Sequence, residues 1–219
     1  MPPAVKVSVF SDVVCPWCYL GVTRFERAAA AVTLSTGVEI EVALRAYQLD
    51  PDSESNGEPL LDVLGRKFGG RADAEAMSAR VRAAGRADGL EFDFEAAVAA
   101  NTYDAHRLLT WAGEHAGPGV QRDLAHELWK AHFAEGADIA DHDTLAARAA
   151  LVGLDVDRVD EVLASGVAGD EVALQRDAAN DLGIRSVPTF VIDNRWMING
   201  AQSQDALERA LRELVTADS

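Results

Sequence analysis

Cysteine is nearly absent: 219 residues hold two, Cys15 and Cys18. That excludes the disulfide framework that staples small secreted folds. It also leaves zinc without the second pair of Cys or His ligands that a structural site needs. The five histidines, His106, His115, His126, His132 and His142, complete no zinc pattern, so no metal is expected. His126-Glu127-Leu128-Trp129-Lys130 begins like a metalloprotease helix, but Lys130 stands where the second histidine is required. Long apolar runs are lacking too, although 48% of the residues are hydrophobic. No stretch approaches the roughly 18 to 20 residues of a membrane span. Met1-Pro2-Pro3-Ala4 runs into a charged, alternating segment without the parts of a secretory signal, so a soluble, cytoplasmic protein is expected. Positive charge is scarce. Twenty Lys and Arg against 36 acids give a net charge of -16, which argues against nucleic acid and anionic membranes as partners.

What is present is concentrated in Asp12-Val13-Val14-Cys15-Pro16-Trp17-Cys18-Tyr19-Leu20, which holds both thiols. The alternating run Val5 to Phe10 reads as a strand, and a helical pattern begins at Pro16, a residue suited to the first helical turn. A strand therefore delivers Cys15 to a helix N-terminus, where free N–H groups and the positive end of the helix dipole favour a nucleophilic sulfur. Cys18 follows within one turn, close enough to attack a disulfide formed on Cys15. A C-x-x-C alone is also compatible with half a zinc site or a structural disulfide; beside a βαβ pattern it points to dithiol–disulfide exchange.

The flanking chain supplies that pattern. The helix runs from Pro16 to about Ala31 with Trp17, Leu20, Gly21, Phe25, Ala28 and Val32 on one stripe. Gly37 marks a turn, and Val38, Ile40, Val42 and Leu44 alternate as a second, parallel strand. Pro51 to Gly57 is a polar surface connection. Beyond it lie Ala-rich helical segments at about 59–68, 73–88, 101–116, 119–135, 142–152 and 156–165, with Asp143 and Asp155 as candidate caps. A helix at about 169–182 precedes the strands Thr189 to Ile192 and Trp196 to Ile198, joined by Asp193-Asn194-Arg195, and a last helix capped by Ser203. The expectation is an α/β fold in which 1–50 and 167–219 form one discontinuous domain around an all-helical insertion, 58–166.

The opening βαβ with C-x-x-C, the closing ββα, and Ser186-Val187-Pro188-Thr189-Phe190 before the hairpin together resemble the thioredoxin fold. The helical insertion narrows the resemblance to DsbA-like oxidoreductases. Within them the chain is most similar to the FrnE-like subgroup, related to 2-hydroxychromene-2-carboxylate isomerases and kappa-class glutathione transferases. Cys15-Pro16-Trp17-Cys18, Asn101-Thr102 with Ala105-His106-Arg107-Leu108, and Gly200-Ala201-Gln202 look like subgroup features. The resemblance implies that Cys15 and Cys18 are catalytic, and that Pro188 is a cis-proline facing them. It also implies that Val187, beside Pro188, pairs its backbone with a substrate peptide. Trp17 borders a substrate groove or packs the helix. Thioredoxins and DsbA carry a buried acid six residues before the first cysteine, where this chain has Val9. Asp12 either takes over proton transfer from Cys18 or accepts turn N–H groups, and Asn101 and His106 are further candidates for the pocket.

The leading functional expectation is a thiol-disulfide oxidoreductase acting on protein or small-molecule thiols and disulfides. No tightly bound cofactor is expected, and glutathione or another thiol is a possible co-substrate. A glutathione-dependent isomerase or transferase is the second reading; its known members generally carry serine at the first motif position and need no second thiol. A chaperone-like binding module, whose helical face matters more than its thiols, is the third.

Overall fold

The computed structural model describes residues 4–217. The expected domain limits at 1 and 219 therefore fall outside the described residues. Four strands form one sheet in the order β2-β1-β3-β4: β1 Val5–Ser11, β2 Ile40–Ala46, β3 Thr189–Ile192 and β4 Trp196–Asn199. β1 pairs parallel with β2 (Val7 opposite Val42) and antiparallel with β3 (Val9 opposite Phe190), and β3 pairs antiparallel with β4. The parallel pair is joined by helix α1, Pro16–Thr36, which ends where Gly37 takes a left-handed φ of 75° and its N–H caps Thr33 O. Asp193 and Asn194 both adopt positive φ, 49° and 55°, the geometry of the tight turn that β3 and β4 need.

Alternation along the strands builds two layers. Val7, Val9, Phe190 and Ile192 face one side with Phe25 and Ala28 of α1 and with Leu207 and Leu211 of the final helix α8, Gln204–Ala217. There the Phe25 and Phe190 rings stack 4.5 Å apart, each Phe side chain contributing about 1.5 to 3 kcal/mol by burial. Phe10 and Val191 face the other side, against Ala179 and Ile184 at the end of α7, Gly169–Asp181.

Between β2 and α7 the chain is helical: α2 Leu60–Phe68, α3 Arg71–Ala87, α4 Tyr103–Phe133, α5 His142–Leu151 and α6 Val156–Ala164. α4 is two helical limbs meeting at Gly117 (φ 89°, ψ 165°), which is followed by Pro118; this break separates the two segments read from the sequence. One cap differs from expectation. The N-cap of α5 is Asp141, whose carboxylate accepts the Thr144 N–H at 2.9 Å, while Asp143 sits inside the first turn. Asp155 caps α6 as expected, accepting the Arg158 N–H at 3.3 Å.

The outer edge of β2 is covered by side chains. Val42, Leu44 and Ala46, every second residue, turn backbone groups away from β1. Arg122 donates to Val42 O at 2.6 Å, and Gln121 accepts from Leu44 N at 2.9 Å and donates to Leu44 O at 3.2 Å. Gln175 of α7 accepts from Ala46 N at 2.7 Å. Two glutamines and an arginine thus take the place of a fifth strand.

Candidate active site

β1 ends at Ser11 and α1 starts at Pro16, so Asp12 to Cys15 must turn the chain between them. The Cys15 N–H closes that turn on Asp12 O at 3.1 Å. Cys15 is the N-cap of α1, extended at φ -96° and ψ 110°, as a residue before proline prefers. Pro16 occupies the first helical position, and Cys18 N bonds Cys15 O at 3.0 Å. The strand-to-helix delivery read from the sequence is therefore how the thiols are placed.

The two thiols differ in environment. Cys15 is 5% exposed and Cys18 is wholly buried. Burial pushes the Cys18 thiol well above its ordinary pKa. The hydrogen bond and charge of Cys15 and the carboxylate of Asp12 push the same way, against a backbone hydrogen bond from Asp12. Cys15 Sγ stands 3.8 Å from Val187 O, from across the sheet, and the Val187–Pro188 peptide bond is cis. Trp17, between the cysteines, is 39% exposed and leaves the stripe of α1 that Leu20, Phe25, Ala28 and Val32 bury. Its ring is therefore a surface feature beside the dithiol, not core.

Asp12 is fully buried behind the motif. Its Oδ2 accepts the Leu49 N–H at 2.8 Å, its Oδ1 stands 3.1 Å from His106 Nε2, and its backbone O accepts the Trp129 indole N–H at 3.2 Å. Asp12 thus ties together the motif, the segment after β2, and both limbs of α4. His106 is buried with it. Asn101 is not engaged there: its side chain donates to Pro51 O and Ser53 O at 3.0 and 2.9 Å and accepts from Tyr103 N at 2.9 Å. It braces the loop after β2, because a short amide next to a helix start is nearest to backbone groups that need partners. Arg107 is similarly structural, donating to the carbonyls of Val162, Ser165 and Val167.

Sequence reasoning missed Trp129 and His132, which lie three apart on α4. His132 is fully buried, its ring nitrogens have no hydrogen-bond partner among the described residues, and burial lowers its pKa to about 4. Tyr19, next to Cys18, stacks on Trp129 at 5.5 Å. The three-residue spacing was the available signal, but only the fold shows that it faces the motif. Among the described residues no group of three His, Cys, Asp or Glu side chains is arranged to hold a metal ion. No described helix is long and apolar enough to cross a membrane.

Comparison with known proteins agrees with this geometry. The family described as DSBA-like thioredoxin domain matches residues 6–212. The uncharacterized protein YwbO of Bacillus subtilis (strain 168) is 27% identical over 214 residues, covering 95% of this chain and 96% of YwbO. The crystal structure of SCO1869 from Streptomyces coelicolor, described as a probable DsbA oxidoreductase, superposes with a TM-score of 0.87. It is 33% identical, over 97% of this chain and 90% of that one. The cytosolic disulfide reductase DsbM of Pseudomonas aeruginosa, solved with GSH, shares the fold at a TM-score of 0.64. It is 21% identical, over 96% and 99% of the two chains.

Proposed function

This chain belongs to the DSBA-like thioredoxin domain family, and on that premise we propose that it is a thiol-disulfide oxidoreductase whose working groups are Cys15 and Cys18. The observation that carries the reading is the asymmetry of the dithiol. Cys15 sits at the helix N-terminus beside Val187 O, while Cys18 is sealed behind it. Cys15 attacks a substrate disulfide, forming a mixed disulfide and releasing one substrate thiolate. Cys18 then attacks Cys15 Sγ, releasing the second and leaving an intramolecular disulfide; the oxidised pair runs the same cycle in reverse. Val187 and Pro188 present backbone to an extended substrate, and Trp17 gives it an apolar wall.

The substrates are protein or small-molecule thiols and disulfides, with glutathione or another thiol as co-substrate and no tightly bound cofactor. The likeness in fold to a disulfide reductase solved with GSH supports the co-substrate, and the scarcity of cysteine supports a reducing, cytoplasmic setting within the FrnE-like subgroup. The net charge of -16 supports neither nucleic acid nor anionic membranes as partners.

Trapping tests the reading. Cys18→Ser is expected to accumulate mixed disulfides on Cys15, seen as reductant-sensitive bands on non-reducing gels and identified by mass. Cys15→Ser is expected to trap almost none. Equal trapping by both variants would remove Cys15 as the nucleophile. Full glutathione-dependent isomerase activity in Cys18→Ser would move the protein to the isomerase class.

A further inference from the structure

The sheet has a second face, which the dithiol does not use. Phe10 of β1 and Val191 of β3 point to it, and α7 covers it only in part. Leu174, Ala178 and Leu182 follow one another at four-residue spacing along α7 and its C-cap, opposite Ser8 and Phe10 of β1. Ala178 and Ser8 are too small to close the gap between the layers. What remains is an open cleft of about 290 Å³. It lies away from the thiols: Asn194, in the turn after β3, lines it, whereas Val187, which meets Cys15, lies beyond the opposite end of that strand.

Two opposite charges line this cleft without touching. Arg45 of β2 is half-buried; its Nε donates to Ser8 Oγ at 3.5 Å, and its terminal nitrogens have no partner among the described residues. Glu171, in the first turn of α7, is half-buried too, and its Oε1 accepts from Gln175 Nε2 at 3.3 Å. Gln175 also accepts the Ala46 N–H, so one side chain seats Glu171 beside the strand that carries Arg45. No ion pair joins them, because each is held by a neutral partner of its own. A guanidinium with its two-pronged end unpartnered fits a carboxylate, and a carboxylate with an oxygen to spare fits an ammonium. Beside the charges, Phe10, Val191, Leu174 and Leu182 form an apolar wall. Leu174 and Leu182 are 61% and 46% exposed, so an apolar group laid on them is removed from water together with them. The other charged groups of α7, Arg176, Asp177 and Asp181, do not line the cleft.

We propose that this cleft binds a free apolar amino acid, with Arg45 taking its carboxylate, Glu171 its ammonium group, and the wall of Phe10, Leu174 and Val191 its side chain. The site is separate from the dithiol and does not rest on the oxidoreductase reading. A zwitterion bridges two charges that the protein keeps apart, which a lone carboxylic acid or a lone amine cannot do. Size agrees: at the roughly 30 Å³ that a water molecule occupies, the cleft has room for about ten such groups, the scale of one amino acid. A peptide is excluded by the same pair of charges, because only a free amino acid carries both on a single carbon.

The test is titration calorimetry of the full chain with leucine as the probe. Three controls each lack one element: 4-methylpentanoate has no amine, 3-methylbutylamine no carboxylate, and glycine no apolar chain. Leucine is expected to saturate one site with a Kd of about 1 mM or below, in keeping with a ligand of this size, and to bind at least tenfold more tightly than any control. Arg45→Gln and Glu171→Gln are each expected to weaken leucine at least tenfold, while the reaction of Cys15 with a chromogenic disulfide keeps its wild-type rate. Amide chemical shifts of the labelled wild-type chain decide the matter if either variant does not fold: leucine is expected to move Ser8, Val191 and Asn194. No saturation by roughly 10 mM leucine overturns the proposal, as do shifts centred on Cys15 and Val187 or leucine affinity within twofold of wild type in both variants. Binding of 4-methylpentanoate as tight as that of leucine removes the part assigned to Glu171, and with it the amino-acid class.

Discussion

Gly21 lies against Pro188: a Cβ at position 21 would stand 2.7 Å from Pro188 Cγ and 3.3 Å from Ala201 Cα. The helix that carries the dithiol and the segment that faces it are thus held at a separation only a hydrogen side chain permits. Gly21→Ala improves helix propensity by roughly 1 kcal/mol, yet a rigid proline ring and a backbone atom have nowhere to move. Overpacking of this kind costs about 1 to 3 kcal/mol, so the variant is expected to be no more stable than wild type and to react more slowly at Cys15. Denaturant midpoints and thiol reaction rates check both. A clear gain in stability with unchanged reactivity would show that the contact relaxes freely.

Acid sensitivity should trace to His132. Its pKa is about 4 in the folded protein and about 6.5 in an unfolded chain. The unfolded state therefore binds the extra proton first, and the stability that neutral His132 confers above pH 6.5 is lost as the pH falls through that window toward 4. Between pH 7 and 4.5 the loss amounts to about 2 kcal/mol. His132→Leu removes the titration, so the stability difference between wild type and variant should shift by that amount between the two pH values. Urea melts at both give the difference directly, and an unchanged difference would mean that His132 finds a partner when protonated.

Gln121→Leu tests the covered edge of β2. The substitution leaves Leu44 N–H and C=O without the partners Gln121 supplies, at about 1 to 3 kcal/mol for each buried group. A loss of roughly 3 kcal/mol is expected in equilibrium denaturation. A loss below about 1 kcal/mol would show that water reaches the edge.

The two aspartates at the start of α5 stabilise it by different means, one as a cap and one as a charge. Asp141→Ala removes the acceptor for Thr144 N–H and is expected to cost about 1 kcal/mol. Asp143→Ala, inside the first turn, loses only a favourable charge near the helix dipole, about 0.3 to 1 kcal/mol. Backbone hydrogen bonding from Thr144 holds the Asp141 carboxyl below its usual range, so the cap's contribution persists above that range and disappears as the pH falls through it. Thermal melts of the two variants at neutral and acid pH distinguish them.

The strand and helix order was legible because periodicity two and periodicity 3.6 leave different traces, and Gly37, Gly117 and Gly183 punctuate them. The dithiol was legible because its meaning is local: strand, Cys15, Pro16, helix. What the sequence could not show is where distant elements meet. Asp12 and His106 are 94 positions apart and Asp12 and Trp129 are 117 apart, and only the docking of α4 onto the motif joins them. Asn101 was misplaced for the same reason. Its neighbours in sequence suggested the pocket, while its hydrogen bonds go to Pro51 and Ser53. Asp143 was mistaken for a cap because residue type at a helix start is degenerate, and the reach of Asp141 to Thr144 is a matter of backbone geometry.

The glutamines along β2 also govern how copies of this sheet can meet. With Leu44 and Ala46 already bonded to Gln121 and Gln175, β2 has little backbone left to offer a neighbouring chain. β4, carrying exposed Trp196 and Met197, is the sheet's other border. A further strand joining this sheet would therefore meet side chains at one border and a strand at the other. A sheet with both borders bare has a route to open-ended stacking; here the β2 side is stoppered by Gln121 and Gln175.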